Sequence, residues 1–282
     1  MTDTCVSLPQ KVLAIDTSTD RMSVALGAAG QAPLLCHDAE GGAQASATLL
    51  PVIRQLLGQL DWRVADLDAI AFGCGPGAFT GLRTVCAVVQ GLAVAGRPGG
   101  IPVIPVHTLL AVAQQGLLQS PDVSSASCNG MVGGVITAVL DARMDEVYAA
   151  DVRVLPPSTA GAVAPLALVR PARLYAPEAL AAVSGWPLVA AEPPRWLVGN
   201  AQAIYGHRWP AAWRDVPQVQ AWPTAAAVLA LSAQCWAQGE MVDAAGAQPL
   251  YVRDKVAQTT EERERIKAVQ AVQVPAGGGN QP

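Results

Sequence analysis

Between Gly73 and Gly81 the chain reads GCGPGAFTG, between a short apolar run and a helix-forming segment. Backbone amides and the positive end of a helix dipole hold anions at such a place, so Gly75 and Gly77 are candidates to cradle a phosphate. A second reading is also open: the glycines serve a tight turn with positive φ and let another part of the chain approach closely. No Lys follows Gly81, so the segment is not a Walker phosphate loop. No G-x-G-x-x-G with a later acid is present to support a dinucleotide fold. Two acids, Asp16 and Asp141, each close an apolar run, VLAID and VITAVLD. In a two-lobed protein, acids at strand tips can face a cleft and hold a metal-nucleotide. Thr17, Ser18 and Thr19 after the first acid could hydrogen-bond phosphate, whereas Ala142, Arg143 and Met144 after the second could not do so in the same way. A carboxylate capping a tight turn is the alternative for both acids.

Other chemistry is poorly represented. His37, His107 and His207 fall in no H-x-x-x-H or H-E-x-x-H setting, so no helical metal site is encoded, and there is no G-x-S-x-G elbow. The six cysteines, Cys5, Cys36, Cys74, Cys86, Cys128 and Cys235, include no C-x-x-C pair and read as free thiols in a reducing compartment.

The elements that must position these groups follow from periodicity. Residues 12–16, 22–26 and 34–37 read as three short strands, the first two as a hairpin. Residues 46–60 carry Leu49, Leu50, Ile53, Leu56, Leu57 and Leu60 at helical spacing, with Pro51 near the start. A strand at 67–72, a helix at 80–95, a strand at 103–106 and a helix at 108–118 follow. The order then begins again with strands at 135–141 and 146–154. IDTSTDRMSV at 15–24 matches LDARMDEVYA at 140–149 in kind: an apolar strand delivers an Asp, and a turn leads into the next strand. A strand at 196–198, Gly199-Asn200 and a helix from Ala201 repeat the strand, glycine and helix order of the first half. Thr224 opens a last helix, 224–238. Residues 155–194 are rich in Ala and Pro, which predicts few long regular elements there. The organisation expected is an N-terminal extension (1–11), a first lobe (12–119), a linking loop (120–134), a second lobe (135–252) and a tail (253–282). The fold class is α/β with two related lobes, each a mixed sheet flanked by helices.

Composition narrows the function. Of 282 residues, 51% are hydrophobic and 14% charged, against roughly 25% charged in ordinary soluble domains. The net charge is −4, so no basic excess is available to drive nucleic-acid binding by counterion release. Residues 80–95 are the most apolar stretch but are shorter than a bilayer span and contain Arg83, Gln90 and two glycines, which excludes a membrane reading. With no cationic run and apolar core at 1–11, a cytoplasmic protein is expected. A helix apolar on nearly every face must be covered on every face. The small residues Gly81, Ala87, Gly91, Ala93 and Ala95 suit close approach of another helix. Residues 253–267 carry nine of the forty charges and read as a solvated helix followed by disorder.

LAIDTSTDRMSVAL (13–26), GCGPGAFTGLRTVCAVVQGLA (73–93), DARMDEVYAA (141–150) and PLYVRDKVA (249–257) together resemble the TsaB family, also called YeaZ. The resemblance implies an actin-like, sugar-kinase-like (ribonuclease H-like) fold. It also implies a role in forming N6-threonylcarbamoyladenosine at position 37 of ANN-decoding tRNAs. TsaB-like proteins act as non-catalytic partners of the catalytic homologue TsaD and of the ATPase TsaE, while TsaC supplies threonylcarbamoyl-adenylate from threonine, bicarbonate and ATP. A homodimer when TsaD is absent, contact with tRNA only through the complex, and no membrane are expected. No cofactor is held tightly, ATP or ADP being held weakly at the partner interface. The TsaD-like metal-binding histidines fall at Thr108 and Val112, which implies no metal here. In the family the first two helices form the partner-binding bundle, which makes Leu49, Leu50, Ile53, Leu57, Leu82, Val85, Val89 and Leu92 interface candidates. Asp16, Thr17, Ser18, Gly75, Gly77 and Asp141 would form a vestigial nucleotide site. Ala45 stands where family members often carry a His. The alternatives are an ATP-dependent phosphotransferase of the same fold, motivated by Asp16, Thr17 and the glycine turn, and a metalloprotease, which rests only on an old glycoprotease label.

Overall fold

The computed structural model describes residues 7–119, 134–157, 163–180 and 196–253. Its first sheet is built from β1 (Val12–Asp16), β2 (Arg21–Gly27), β3 (Leu35–Glu40), β4 (Ala69–Gly75) and β5 (Val103–His107), in the order β3-β2-β1-β4-β5. β1 pairs antiparallel with β2 and parallel with β4. It is covered on both faces, which is why VLAID is a continuous apolar run rather than an alternating one. β3 lies at the edge, and its residues alternate in exposure along LCHDAE. The second sheet comprises β6 (Val135–Asp141), β7 (Val147–Val154), β8 (Leu166–Tyr175), β9 (Trp196–Gly199) and β10 (Gln218–Gln220). Read as β8-β7-β6-β9-β10, it repeats the first sheet strand for strand, with the same antiparallel and parallel pairings about its central strand. This is the duplicated actin-like fold, and it puts Asp16 and Asp141 at equivalent ends of equivalent strands.

Helices separate and flank the sheets. α1 (Ala45–Gln59) and α2 (Phe79–Gly96) cover one face of the first sheet, burying Leu49, Ile53, Leu57, Val85 and Val89 against Leu13, Ile15 and Phe72. α3 (Thr108–Gln119) packs against strands of both sheets. On the outer face of the second sheet, α4 (Ala201–Tyr205) and α5 (Ala211–Arg214) pack through Tyr205 and Trp213 against Val139 and Ala149. α6 (Ala225–Ala237) belongs to the second half of the sequence but lies on the first sheet, touching β1, β2, β4 and β5 as well as α3. Thr224 caps it, accepting from the Ala227 amide at 3.2 Å, and the Ser23 hydroxyl of β2 accepts from the Ala225 amide at 2.7 Å. Beyond α6 the chain stays with the first lobe: Val242 bridges Val103, and Ala247 accepts from Gln90 Nε2 at 2.9 Å. Met1–Val252 therefore forms one compact unit, and 253–282 a second, of which only Arg253 is among the described residues.

Three details differ from the pattern-based expectation. α1 begins earlier than residue 46, after a short 3-10 turn at Gly42–Gln44, so Pro51 lies inside the helix rather than at its start. Pro51 and Ala47 are both exposed, so water can reach the Ala47 carbonyl that lacks its amide donor. The Ala/Pro-rich stretch contains a ten-residue strand, β8; Pro171 is tolerated because β8 is an edge strand and Pro171 is exposed on it. α2 is long and apolar enough to cross a membrane, yet its Leu82, Val85, Val89 and Ala93 are buried within the first lobe. The expected loop at 120–134, apart from Gly134, and the tail beyond Arg253 lie outside the described residues.

One side chain joins α6 to the second sheet. Gln234 accepts the Leu166 amide through Oε1 at 2.8 Å and donates Nε2 to the Leu166 carbonyl at 2.7 Å, imitating a neighbouring strand. Gln234→Ala leaves both groups of a buried residue without their partner. It should lower unfolding free energy by about 1–3 kcal/mol in denaturant titration, with an unchanged m-value.

Candidate functional site

The tip of β1 and the glycine turn form a single packed unit. Asp16 is 1% exposed, and its Oδ1 accepts from both the Ser18 amide (2.9 Å) and the Ser18 hydroxyl (2.7 Å). The Ser18 carbonyl then accepts from the Ala78 amide at 2.6 Å, at the N-cap of α2. Thr17 donates its hydroxyl to the Gly81 carbonyl at 2.8 Å in the first turn of that helix. A Cβ on Gly77 or Gly81 would fall on the backbone of Ser18 or Thr17, so the glycines are what allow β1's tip to enter the turn. Gly75, at φ +125°, has the Leu250 carbonyl against it, and the Leu250 amide donates to the Cys74 carbonyl at 2.7 Å. The turn is thus filled by the chain itself from two directions.

That filling corrects the phosphate-cradle expectation for Gly75, Gly77, Thr17 and Ser18. The two hydroxyls are engaged inside the fold, and the space beside the glycines holds backbone. Asp16 and Asp141 likewise do not open onto a metal-nucleotide cleft. Asp16 is buried, whereas Asp141 accepts from the Arg143 amide (2.8 Å) and the Tyr205 hydroxyl (3.1 Å), and pairs with Arg143 Nη1 at 3.2 Å. Here the turn-capping role fits both acids. Arg143, Met144 and Asp145 all have positive φ, and Arg143 Nη2 lies 4.0 Å from Asp20 Oδ2, so the turns of the two equivalent hairpins meet.

Asp16 Oδ2 has no hydrogen-bond partner among the described residues and lies against Gly73, where a side chain would collide with it. Burial raises its pKa to about 6 despite the Ser18 hydrogen bonds. His107 titrates in the opposite sense: burial lowers it to about 4, and its Nδ1 accepts the Leu109 amide at the start of α3, which requires an unprotonated nitrogen there. Thr108, at one of the positions where TsaD-like histidines were expected, is buried and accepts the Gly75 amide at 3.0 Å; Val112, at the other, is fully buried. No group of three His, Cys, Asp or Glu that could hold a metal occurs among the described residues. Cys74 and Cys235 are pushed up to about 12 by burial, and Cys86 to about 11, so these free thiols are poor nucleophiles.

The proposed interface residues divide sharply. Leu49, Ile53, Leu57, Leu82, Val85 and Val89 are each 3% exposed or less, because α1 and α2 turn their largest apolar side chains onto the sheet. They form the lobe's core and cannot themselves be the outer surface. Leu50, 44% exposed, and Leu92, half-buried, remain on it. The outward ridge of α2 is made of Arg83, Ala87, Gly91 and Ala95, four residues apart and all exposed, with Val94 beside them at 69%. At its C-terminal end the ridge runs into a cavity of about 820 Å³ lined by Val94, Pro98, Ile101 and Met241. Arg83 is the only charge in this eighteen-residue apolar helix.

Comparison with known proteins agrees with this architecture. Residues 37–259 match the family described as TsaD: tRNA N6-adenosine threonylcarbamoyltransferase. The chain is similar to the tRNA threonylcarbamoyladenosine biosynthesis protein TsaB of Escherichia coli, with 29% identity over 88% of this chain and 96% of that protein. The protein of the same name from Haemophilus influenzae is 37% identical over 49% of this chain and 51% of its own. Among solved structures, YeaZ from Pseudomonas aeruginosa superposes with a TM-score of 0.67 and 34% identity, covering 86% of this chain and 99% of that one.

Asp16 generates a pH prediction. Its raised folded-state pKa means that stability is greatest when the group is protonated and is lost as pH rises from about 4 through about 6. Asp16→Asn should therefore be more stable than the parent at pH 7.5 by up to about 3 kcal/mol. That difference should shrink steadily below pH 6 and vanish near pH 4 in parallel thermal denaturations. His107 is common to both proteins and cancels; a difference independent of pH would exclude a buried titrating Asp16.

Proposed function

The chain belongs to the TsaB/YeaZ family of tRNA threonylcarbamoyladenosine biosynthesis proteins, and we propose that it serves there as a non-catalytic docking subunit. Its partner in this reading is a TsaD-like catalytic subunit, with TsaE joining the assembly and TsaC supplying the activated threonylcarbamoyl group. The observation that carries the reading is the outward ridge of α2, where Ala87, Gly91 and Ala95 leave a helix surface low enough for another helix to approach closely. A Cβ on Gly91 meets nothing within 4 Å, so space there is open on this chain's own side. What occupies the site in this chain is in keeping with that reading. Thr108 and Val112 stand at the expected metal-ligand positions, and the glycine turn is filled by backbone.

The same face serves a homodimer when the catalytic partner is absent, because an apolar helix surface is stabilised by covering it whatever the partner. The ridge then sets heterodimer against homodimer by competition. tRNA is met only through the complex: the net charge of −4 gives this subunit little electrostatic attraction for a phosphate backbone. ATP or ADP is held weakly and only where the two subunits meet, and the protein works in the cytoplasm, where its tRNA substrate is. No tight cofactor belongs to the subunit alone.

Depletion of the protein should lower N6-threonylcarbamoyladenosine in bulk tRNA, measured by nucleoside mass spectrometry; an unchanged level overturns the reading. Gly91→Glu places a charge where the fold has room for it, so the variant should keep its thermal stability. Its affinity for the TsaD-like partner should fall tenfold or more. Calorimetry on the isolated subunit should detect no micromolar binding of Mg-ATP, and tight binding with turnover would instead establish an enzyme.

A further inference from the structure

Arg83 is the one charge of α2, and two contacts fix its position. Its guanidinium carbon lies 3.8 Å over the Phe79 ring, and its Nε donates to the Tyr251 hydroxyl at 3.1 Å. The two rings are themselves packed at 5.1 Å between centroids. Neither Nη1 nor Nη2 has a hydrogen-bond or ion-pair partner among the described residues, and the residue is exposed. An arginine normally loses considerable side-chain entropy when it is ordered; here the ring and the Tyr251 hydroxyl already hold it in the free protein.

The placement does not serve the helix. Arg83 lies in the second turn from the positive end of the α2 dipole, where a cation gains nothing from the helix field. It does lie on the outward ridge, one turn before Ala87 and two before Gly91. A planar fork of N–H donors, stacked on an aromatic ring and held through Nε, matches a carboxylate with both oxygens engaged. Covering the neighbouring small residues with a partner helix would exclude water from that contact and strengthen it.

We propose that Arg83, held by Phe79 and Tyr251, is the specificity anchor of the α2 docking face. It receives an Asp or Glu carboxylate from the partner helix that lies along Ala87 and Gly91. The inference rests on the docking reading given above and adds the chemistry of the partner: that helix carries an acidic side chain about one turn from the point where it crosses Ala87. Tyr251 is a positioning residue, since it orients the guanidinium and need not touch the partner.

The test is the affinity of the full chain for the TsaD-like subunit, titrated at several salt concentrations without nucleotide. Arg83→Gln should weaken binding about tenfold or more and flatten its salt dependence. Arg83→Lys should recover only part of the loss, because an ammonium supplies the charge without the fork. Tyr251→Phe should cost a few-fold while leaving the salt dependence intact. Binding of Arg83→Gln within twofold of the parent overturns the anchor. Gly91→Glu, run in parallel, separates the two ideas. If it abolishes binding while Arg83→Gln does not, only the anchor fails; if neither matters, the docking face fails as well. A defect of Arg83→Gln seen only when ADP is added would overturn the carboxylate in favour of a phosphate.

Discussion

The insertion of β1's tip into the glycine turn that opens α2 is the contact on which the first lobe depends. Ser18 and Thr17 bring their backbone against Gly77 and Gly81, and Asp16 holds Ser18 in place through two hydrogen bonds. This fixes where α2 starts and how it lies on the sheet, hence which of its faces is buried and which is left outside. The constraint is steric. At these glycines the partner is backbone, which cannot move aside as a flexible side chain can. The cost is a buried carboxylate with one oxygen unpaired among the described residues, its pKa raised by burial to about 6.

Because α2 is set in this way, its bulkiest side chains face the sheet and its smallest face outward. The second half of the chain reinforces that arrangement. α6 returns to the first sheet, Gln234 ties it to β8, and the segment after it lies along α2 through Ala247, Leu250 and Tyr251. The two lobes share a middle layer of helices and form a single unit, and Leu50 of α1 with Arg83, Ala87, Gly91 and Val94 of α2 are exposed on its surface. In this duplicated fold the glycine turn is filled by the chain's own backbone.

Much of this was legible in the order of residues. The paired motifs IDTSTDRMSV and LDARMDEVYA signalled a duplicated strand-turn-strand, and both sheets have that hairpin at their centre. The helices at 46–60 and 80–95 were visible from spacing, with ends shifted by about a residue. β8 was harder to see, since its prolines argued against a strand and only an edge position makes Pro171 tolerable. Spacing alone does not say which face of a helix the sheet covers: Leu49, Ile53, Leu57, Leu82, Val85 and Val89 lie in the core because a helix packed on a sheet turns its large apolar side chains inward.

The sequence by itself determined the class of fold and the family motifs, because these are properties of local composition and spacing. Only the tertiary structure decided what the glycine turn holds, which face of α2 is free, and that Arg83 meets Tyr251 from 168 residues away. Each of those is a question of what lies opposite a given atom. A glycine that admits a phosphate and one that admits a carbonyl are identical in sequence, and they differ only in which part of the chain reaches them first.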